Sequence, residues 1–251
     1  MRKLSPTKAI SHALNSVWTF RHVGARIAFP WLPVLLLCAI AELYFAPPDV
    51  ATELAADQLP SIPPVQVVTF IVSLIATSSM AVSWQRFILR DEIGRGLRID
   101  GNVLRYALFT ILLIMAAVLP TALLLAFTLL APSVAILAVP GIVLIGGIVT
   151  RLSIRFPAIS LGDRSFGFGD AWKASAGNFW QCLGVFLLSW TITLGGLFVL
   201  LLVGGGINQL SPTLGDLVMT VGVILMQLFY ALFNASVFTS LYGFFVERRE
   251  F

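Results

Sequence analysis

Charged residues are scarce in this chain of 251 residues. They make up 11% of it, whereas a soluble domain carries roughly 25%. Hydrophobic residues make up 58%, and the mean hydropathy is +0.94. So few charges exclude a domain whose whole surface faces water. Several apolar runs reach the roughly 20 residues that a helix needs to cross a hydrocarbon core of about 30 Å. The sequence therefore predicts an all-α, polytopic membrane protein.

Cysteine and histidine are also rare. Cys38 and Cys182 are the only cysteines, and each falls in or beside an apolar run without CxxC or Cys/His spacing. That placement is typical of small core residues. His12 and His22 are the only histidines, and a metal site needs more ligands than this pair supplies. We therefore expect neither a metal nor a cofactor.

Signatures of catalysis are absent from the sequence. The chain contains no GxSxG, HExxH or Walker-type glycine motif, and no pair of membrane aspartates. The segment "GDRSFGFGD" (162–170) is rich in glycine, but it follows no predicted strand. We interpret it as a turn followed by a helix with Asp170 as its N-cap. The sequence therefore predicts a protein that is not an enzyme.

The apolar runs predict six membrane spans within a single transmembrane domain over residues 1–251. Their approximate limits are 27–45, 65–87, 104–129, 134–154, 182–203 and 217–245. A cleaved signal peptide is the alternative for the first span, because Ala39-Ile40-Ala41 has the small-x-small form of a cleavage site. The apolar run and the segment before it are both long for a signal peptide, which favours a span.

Lysine and arginine are missing from three predicted loops, 46–64, 130–133 and 204–216. All sixteen lie in or beside the segments on the opposite side of the membrane. That side also holds seven acidic residues and has a net charge of +9, whereas the side with the three loops has a net charge of −5. The positive-inside rule assigns the basic side to the cytoplasm. Six spans then place both termini in the cytoplasm.

This charge asymmetry also explains the pI of about 9.4, so we expect no nucleic acid as a partner. Arginine outnumbers lysine thirteen to three, which favours a GC-rich bacterial genome. The sequence leaves open whether the chain has a protein partner or forms a homo-oligomer.

Internal similarity predicts three helical hairpins, of which the first and third are most alike. "SHALNSVWTFRHVG" (11–24) and "DAWKASAGNFWQCL" (170–183) both read as short amphipathic helices at the interface before a span. Spans two and six each carry a small residue at every fourth position, which favours close helix packing in lipid. These residues are Thr69, Ser73, Thr77 and Ala81 in span two, and Ala231, Ala235, Thr239 and Gly243 in span six. We expect these two spans to be central, although chance spacing is the alternative.

The segment "SSMAVSWQRFILRDE" (78–92) passes from small residues to Trp84, Arg86 and Arg90. We interpret it as the exit of a helix from the membrane, with Trp84 at the headgroup level and the arginines reaching towards phosphate. The functional alternative pairs Arg86 with Arg155, which stands at the matching end of the second hairpin. Together with Trp84 and Arg90 they are candidates for binding an anion or a lipid headgroup.

Polar residues within the spans are few. Gln227 and Asn234 lie seven positions apart on span six, hence on nearly one face, and Ser73 and Thr77 are the hydroxyl candidates on span two. We expect Asn234 to bridge helices rather than to bind a substrate. No ionisable residue lies at the centre of a predicted span, which argues against an ion-driven pump.

Three segments carry a resemblance to known proteins: "SWQRFILRDE" (83–92), "RLSIRFPAIS" (151–160) and "DAWKASAGNFWQ" (170–181). With them the chain resembles a set of bacterial six-helix membrane proteins that is similar to the membrane domain of some glycerophosphodiester phosphodiesterases. The resemblance implies the fold, an inner-membrane location and a lipid-related role. The chain has no soluble phosphodiesterase domain, so no catalytic residue carries over.

Two functions follow as hypotheses. The first is a lipid-associated accessory or scaffold protein whose partners are membrane lipids with anionic headgroups at the basic face. The alternative is a small permease or exporter, in which Pro120 and Pro140 break spans three and four around a cavity. A water-accessible cavity lined by Gln227, Asn234 and the hydroxyls of span two would distinguish the permease from the scaffold.

Overall fold

The computed structural model describes residues 2–45, 63–94, 96–130 and 135–249. The predicted start of span four at 134, three of the acidic loop residues (Asp49, Glu53 and Asp57), Arg95 and Glu250 lie outside these ranges. Within them the chain is helical and contains no strand. The prediction of an all-α protein is therefore confirmed.

Ten α-helices lie in the described ranges, and six segments among them are long and apolar enough to cross a membrane. The helices are α1 (Pro6–Thr19), α2 (Arg21–Ala28), α3 (Leu32–Phe45), α4 (Pro64–Arg90), α5 (Gly101–Leu130), α6 (Ala135–Leu152), α7 (Arg155–Leu161), α8 (Phe168–Ala174), α9 (Phe179–Leu210) and α10 (Pro212–Phe245). A 3₁₀ turn at Phe29–Trp31 joins α2 to α3. The candidate spans are Arg21–Phe45, Pro64–Arg90, Gly101–Leu130, Ala135–Leu161, Phe179–Leu210 and Pro212–Phe245. The predicted number of spans is confirmed, and the chain is a multi-pass membrane protein.

The prediction of a loop over residues 204–216 is wrong. Helix α9 continues through Gly204, Gly205 and Gly206 to Leu210, and α10 begins at Pro212, so Ser211 alone separates the two helices. Gly215 explains this tight connection, because a Cβ atom there would lie 2.5 Å from the Cα of Asn208. Without that atom the two helices approach closely at their junction.

The prolines of spans three and four do not break their helices. Helix α5 continues through Pro120 and α6 through Pro140. A proline inside a membrane helix is tolerated when neighbouring groups satisfy the freed carbonyl. The predicted pair of discontinuous spans is therefore wrong.

Five of the six spans form a closed ring, and the remaining one lies outside it. In order around the ring, α4 packs on α5, α5 on α6, α6 on α9, α9 on α10, and α10 on α4 again. Helix α3 packs on the outside against α4 and α10. Helix α4 is the most buried span, and α10 contacts α1, α3, α4, α7 and α9. The prediction that spans two and six are central is confirmed.

Glycine allows close crossings between neighbouring helices of the ring. A Cβ at Gly146 of α6 would lie 2.2 Å from the Phe186 ring of α9, and one at Gly196 of α9 would lie 2.5 Å from Oη of Tyr230. Interfaces between membrane helices depend on such small residues, because burying apolar side chains gains little in lipid.

Contacts between distant segments place both chain termini at one end of the bundle. Arg2 donates to the carbonyls of Arg248 and Arg249 over 2.9 and 2.8 Å. Lys3 donates to the carbonyl of Gly177 over 2.8 Å. We call this end, which holds residues 2–26, 86–94, 96–105, 151–178 and 246–249, the basic end. The opposite end, which holds 42–45, 63–66, 127–130, 135 and 207–216, is called the acidic end after Glu42 and Asp216.

Candidate functional site

A cavity of about 500 Å³ lies inside the ring of helices, and we call it the central cavity. Helices α4, α5, α6, α9 and α10 all contribute to its wall, with Phe156 of α7 also lining it. Small side chains leave this space open, since Ala81, Ala117, Ala231 and Ala235 line it where larger residues would fill it. The small-residue stripes of α4 and α10 therefore line a cavity in part, rather than only packing the two helices together.

Polar side chains reach the central cavity from every helix of the ring. They are Thr77 and Ser78 of α4, Tyr106 and Thr110 of α5, Thr150 of α6, Ser189 of α9, and Gln227, Tyr230 and Asn234 of α10, together with Ser153 beside α7. Gln227 and Asn234 share a face of α10 because a spacing of seven is about two helical turns. The structure thus brings three of the predicted intramembrane polar residues, Thr77, Gln227 and Asn234, to one site.

Most hydroxyls of the cavity donate hydrogen bonds to backbone carbonyls. The acceptor is a carbonyl of the preceding turn of the same helix or, for Tyr230, of the helix packed beside it. Thr110 donates to the carbonyl of Tyr106, and Thr150 to that of Gly146, each over 2.9 Å. The Tyr230 hydroxyl lies 3.1 and 2.9 Å from the carbonyls of Ile192 and Thr193. These groups are satisfied within the chain.

Four polar side chains of the cavity lack such a partner within the described ranges. The hydroxyls of Ser78 and Ser189 are buried and form no hydrogen bond. The amides of Gln227 and Asn234 are half-buried, and they also form no hydrogen bond with other described residues. The expectation that Asn234 bridges two helices is therefore wrong for the described chain. Unpaired buried polar groups are rare in proteins and require an explanation, such as a ligand or water.

The remaining wall of the central cavity is apolar and aromatic. Phe156, Phe186, Trp190 and Phe238 line it, and no lysine, arginine, aspartate, glutamate or histidine does so among the described residues. A charged molecule would lose its hydration there without gaining an opposite charge. The cavity therefore suits an uncharged molecule with an apolar body and a few polar groups.

A second cavity of about 440 Å³ lies nearer the acidic end, between α3, α4 and α10, and we call it the outer cavity. Cys38, Glu42 and Ser73 line it together with Gln227. Glu42 accepts a hydrogen bond from the Thr69 hydroxyl. Of the four predicted intramembrane polar residues, Ser73 thus lies in the outer cavity and Gln227 lines both.

Trp84 does not lie among lipid headgroups. Its side chain is fully buried, and Nε1 donates to the hydroxyl of Ser236 over 2.6 Å. Gly24 of α2 lies against the indole, since a Cβ there would be 3.4 Å from the ring and 3.1 Å from Leu232. The prediction of an interfacial Trp84 is wrong because α2 covers that face of α4.

The predicted arginine pair has partners within the chain. Arg86 forms an ion pair with Glu92 at 2.6 Å and donates to the carbonyl of Ser160 over 3.1 Å. The Arg155 guanidinium lies 3.9 Å from the Phe109 ring centre and 4.7 Å from that of Phe168. These contacts join α4 to α7, and α7 to α5 and α8.

Arg90 is the most exposed of the predicted headgroup-binding residues, and its guanidinium lies 4.0 Å from Glu92. Exposed ion pairs at such distances contribute little to stability. Arg90 therefore remains available at the surface, and binding of an anion or lipid by this group of residues stays a prediction.

Two buried polar contacts were not predicted. Gln85 is fully buried; it accepts from the Ser160 hydroxyl and donates to the carbonyl of Ala235. Arg151 donates to Ser175 over 2.9 Å, with its guanidinium 3.6 Å from the Trp172 ring centre. The partners in each contact are far apart in sequence, so no local pattern indicates them.

Asp170 has a different role from the predicted one. It is the third residue of α8, and its carboxylate accepts from the backbone N–H of Gly167 over 2.8 Å. The helix therefore begins three residues earlier than predicted, with Gly167 rather than Asp170 as its N-cap. A carboxylate at this position still satisfies a free N–H before the first turn.

No group of three or more potential metal ligands occurs among the residues that the structure describes. Comparison with protein-family models, with curated proteins and with solved structures gives no match to this chain.

Proposed function

We propose that this protein is a small permease that binds a neutral, largely apolar molecule in the central cavity. One observation carries the proposal: Ser78, Ser189, Gln227 and Asn234 face a cavity within an otherwise apolar bundle and have no hydrogen-bond partner among the described residues. Polar groups left in that state cost free energy unless a ligand or water satisfies them.

The wall of the cavity defines the class of molecule. Its volume of about 500 Å³ is within the usual range for small-molecule sites, about 300 to 1,000 Å³. Aromatic rings such as Phe186 and Trp190 suit an apolar body, and the amides of Gln227 and Asn234 offer both donors and acceptors. Because no ionisable side chain lines this cavity in the described chain, the proposed movement follows the concentration gradient of the molecule itself.

The proposal includes the setting that the sequence predicts. The protein lies in the bacterial inner membrane as three hairpins, with the basic end and both termini in the cytoplasm. Support comes from the charge difference between the two ends of the bundle.

Cysteine accessibility tests the permease proposal. In a Cys38→Ser background the remaining native thiol, Cys182, is fully buried. We expect an uncharged, sugar-linked methanethiosulfonate, which is too polar to cross lipid, to label Asn234→Cys in membrane vesicles, because the central cavity suits neutral molecules with polar groups. Two control positions on the same helix are Leu225→Cys, whose side chain is 48% exposed on the apolar surface, and Phe233→Cys, which is fully buried.

The controls should remain unlabelled from both sides. If Asn234→Cys is as protected as Leu225→Cys and Phe233→Cys from each side of the membrane, the permease proposal is wrong. A further variant, Ala231→Leu, adds bulk to the cavity wall and should slow labelling at position 234.

The second candidate is the lipid-associated accessory protein, and the exposed Arg90 at the basic end favours it. Each basic residue near an anionic surface contributes about 1 kcal/mol at most. The resemblance to the phosphodiesterase membrane domain points the same way. Native mass spectrometry after replacement of Arg86, Arg90 and Arg155 by Gln tests this candidate, and unchanged retention of anionic lipid would exclude it.

A further inference from the structure

We propose that the central and outer cavities are two halves of one pathway across the membrane, and that the Gln227 side chain is the gate between them. The proposal rests on the proposed function and adds its route. Gln227 lines both cavities, and the other described α10 residues that line them fall on either side of it.

The order of lining residues shows how the cavities are stacked. On α10 the outer cavity is lined from Met219 to Ile224 and the central cavity from Tyr230 to Phe238. On α4 the outer cavity is lined by Ser73 and the central cavity by residues from Thr77 onwards. Both helices run from the acidic end to the basic end, so the two orders agree. The outer cavity therefore lies nearer the acidic end than the central one. Because α3 packs outside the ring, the proposed pathway passes between α4 and α10 at Gln227.

The two cavities together have the length of a membrane crossing. Met219 and Phe238 bound the α10 residues that line them. At a rise of about 1.5 Å per residue these residues are about 28 Å apart along the helix. The hydrocarbon core of a bilayer is about 30 Å thick. Neither cavity alone has this length.

Gln227 has the chemistry of a gate for neutral molecules. Its amide can donate and accept hydrogen bonds and carries no charge, and its side chain has several rotatable bonds. It has no hydrogen-bond partner among the described residues, so turning aside breaks no contact of that kind. Glu42 at the acidic end is the one charged side chain that lines either cavity in the described chain, and it disfavours entry of anions.

The experiment measures labelling of Asn234→Cys, in the Cys38→Ser background, by the same uncharged, sugar-linked methanethiosulfonate added to one side of sealed membranes. Intact spheroplasts expose the acidic end and inverted vesicles the basic end. Residue 227 is kept as Gln, shortened to Ala or enlarged to Trp. Leu225→Ala, a shortening two residues away on the apolar surface of α10, is the matched control.

From the acidic side we expect labelling to be faster with Gln227→Ala, because the shorter side chain no longer fills the junction between the two cavities. With Gln227→Trp it should be abolished, and with Leu225→Ala it should be unchanged. From the basic side the rate should be the same in all variants, which also shows that each variant is folded. A second set of variants retains Cys38 and the native Asn234 and differs only at residue 227. In this set the rate of Cys38 labelling from the acidic side should be the same for Gln, Ala and Trp at 227.

Two failures can be told apart. Labelling of position 234 from the basic side alone, with no effect of residue 227 on access from the acidic side, would overturn the pathway and leave the cavity as a binding site. Protection of position 234 from both sides would overturn the pathway and the permease together. An apolar molecule filling the outer cavity as a closed pocket corresponds to the first of these outcomes.

Discussion

At the scale of single residues, Trp84 connects three helices. Its ring lies against Gly24 of α2, and its Nε1–H donates to Ser236 of α10. Ser236 in turn donates to the carbonyl of Leu232 over 2.9 Å. The indole N–H therefore supplies a hydrogen bond to the Ser236 hydroxyl oxygen, and the indole ring fills the space beneath α2. Both contacts require the side chain to be buried.

Replacing Trp84 by Phe should lower the stability of the folded protein. The change removes the hydrogen bond to Ser236 and part of the buried ring, and the lost hydrogen bond alone corresponds to about 1 kcal/mol. We expect a lower Tm in thermal unfolding in detergent. The control is Trp180→Phe, because Trp180 is 70% exposed. Equal Tm values for the two variants would contradict this role of Trp84.

Asp100 stands directly before the first residue of α5. Its carboxylate accepts from the backbone N–H groups of Asn102 and Val103, each over 3.0 Å, and pairs with Arg98 at 2.5 Å. Partial burial by itself raises the pKa of this carboxyl, and it is the largest single effect. The hydrogen bonds from Val103, Arg98 and Asn102 and the positive charge of Arg98 together outweigh it, so the pKa of Asp100 is lowered from its ordinary value of 3.8.

The lowered pKa of Asp100 predicts a pH dependence of stability. Because the folded state favours the carboxylate, its contribution is present above the ordinary pKa of 3.8 and is lost as the pH falls through the lowered pKa. We expect Asp100→Asn to have a lower Tm than the unaltered protein at neutral pH. That difference should shrink as the pH is lowered past 3.8. A difference independent of pH would show that the charge has no part in it, since Asn also caps a helix.

At the scale of helices, the junction of α9 and α10 depends on the absence of one side chain. Gly215 lies in the first turn of α10, next to the backbone of Asn208. Gly206 is four residues before the end of α9 and has open space around it. The two glycines therefore lie on either side of the same junction but have opposite surroundings.

We expect Gly215→Ala to lower the Tm and Gly206→Ala to leave it unchanged or raise it. At Gly215 the new methyl group would lie 2.5 Å from the Cα of Asn208, which only a displacement of the backbone can relieve. At Gly206, alanine gains about 0.5 to 1 kcal/mol of helix propensity with no clash. Thermal unfolding in detergent measures both. A Tm for Gly215→Ala as high as for Gly206→Ala would show that the helices separate freely at this turn.

Short helices at the basic end connect the spans. Helix α1 buries Ala9, Ile10 and Ala13 against α9 and α10. Helix α7 packs against α4, α5 and α10 through Phe156 and its neighbours. The amphipathic pattern of residues 11–24 predicts a helix beside the membrane, but the partner helices of α1 depend on contacts with segments far along the chain.

At the scale of the whole molecule, the ring encloses space because its small and polar residues point inwards from separate helices. Lipid-facing positions on α5 and α9 are mostly large and apolar, for example Leu129 and Leu210, which are 85% and 89% exposed. Such side chains suit a hydrocarbon environment. The bundle thus has an apolar outside and a cavity with polar groups inside.

The proposed orientation predicts the behaviour of reporter fusions. Green fluorescent protein fused after Phe251 should fluoresce and alkaline phosphatase at the same position should be inactive, because both termini belong to the basic, cytoplasmic end. A truncated fusion after Phe45, at the far end of the first span, should give active phosphatase. Active phosphatase after Phe251 would reverse the orientation.

Much of the candidate site could be predicted as positions, but not as a cavity. Gln227 and Asn234 are recognisable because polar side chains are rare in apolar spans, and their spacing places them on one face. Ser78 follows the predicted Thr77 directly, yet Ser189 of α9 has no such signal. Whether these residues line one cavity depends on which helices are neighbours, and the sequence of a single helix does not determine its neighbours.

The sequence by itself determined the six spans and the separation of positive charge to one end. Both follow from the free energy of moving a segment or a charge out of water, which depends on local composition. The tertiary structure alone decided the burial of Trp84, the tight junction at Ser211 and the two cavities that meet at Gln227. These features depend on how side chains from segments distant in sequence fill the space between helices and which hydrogen bonds they form. Both are decided only when the helices pack.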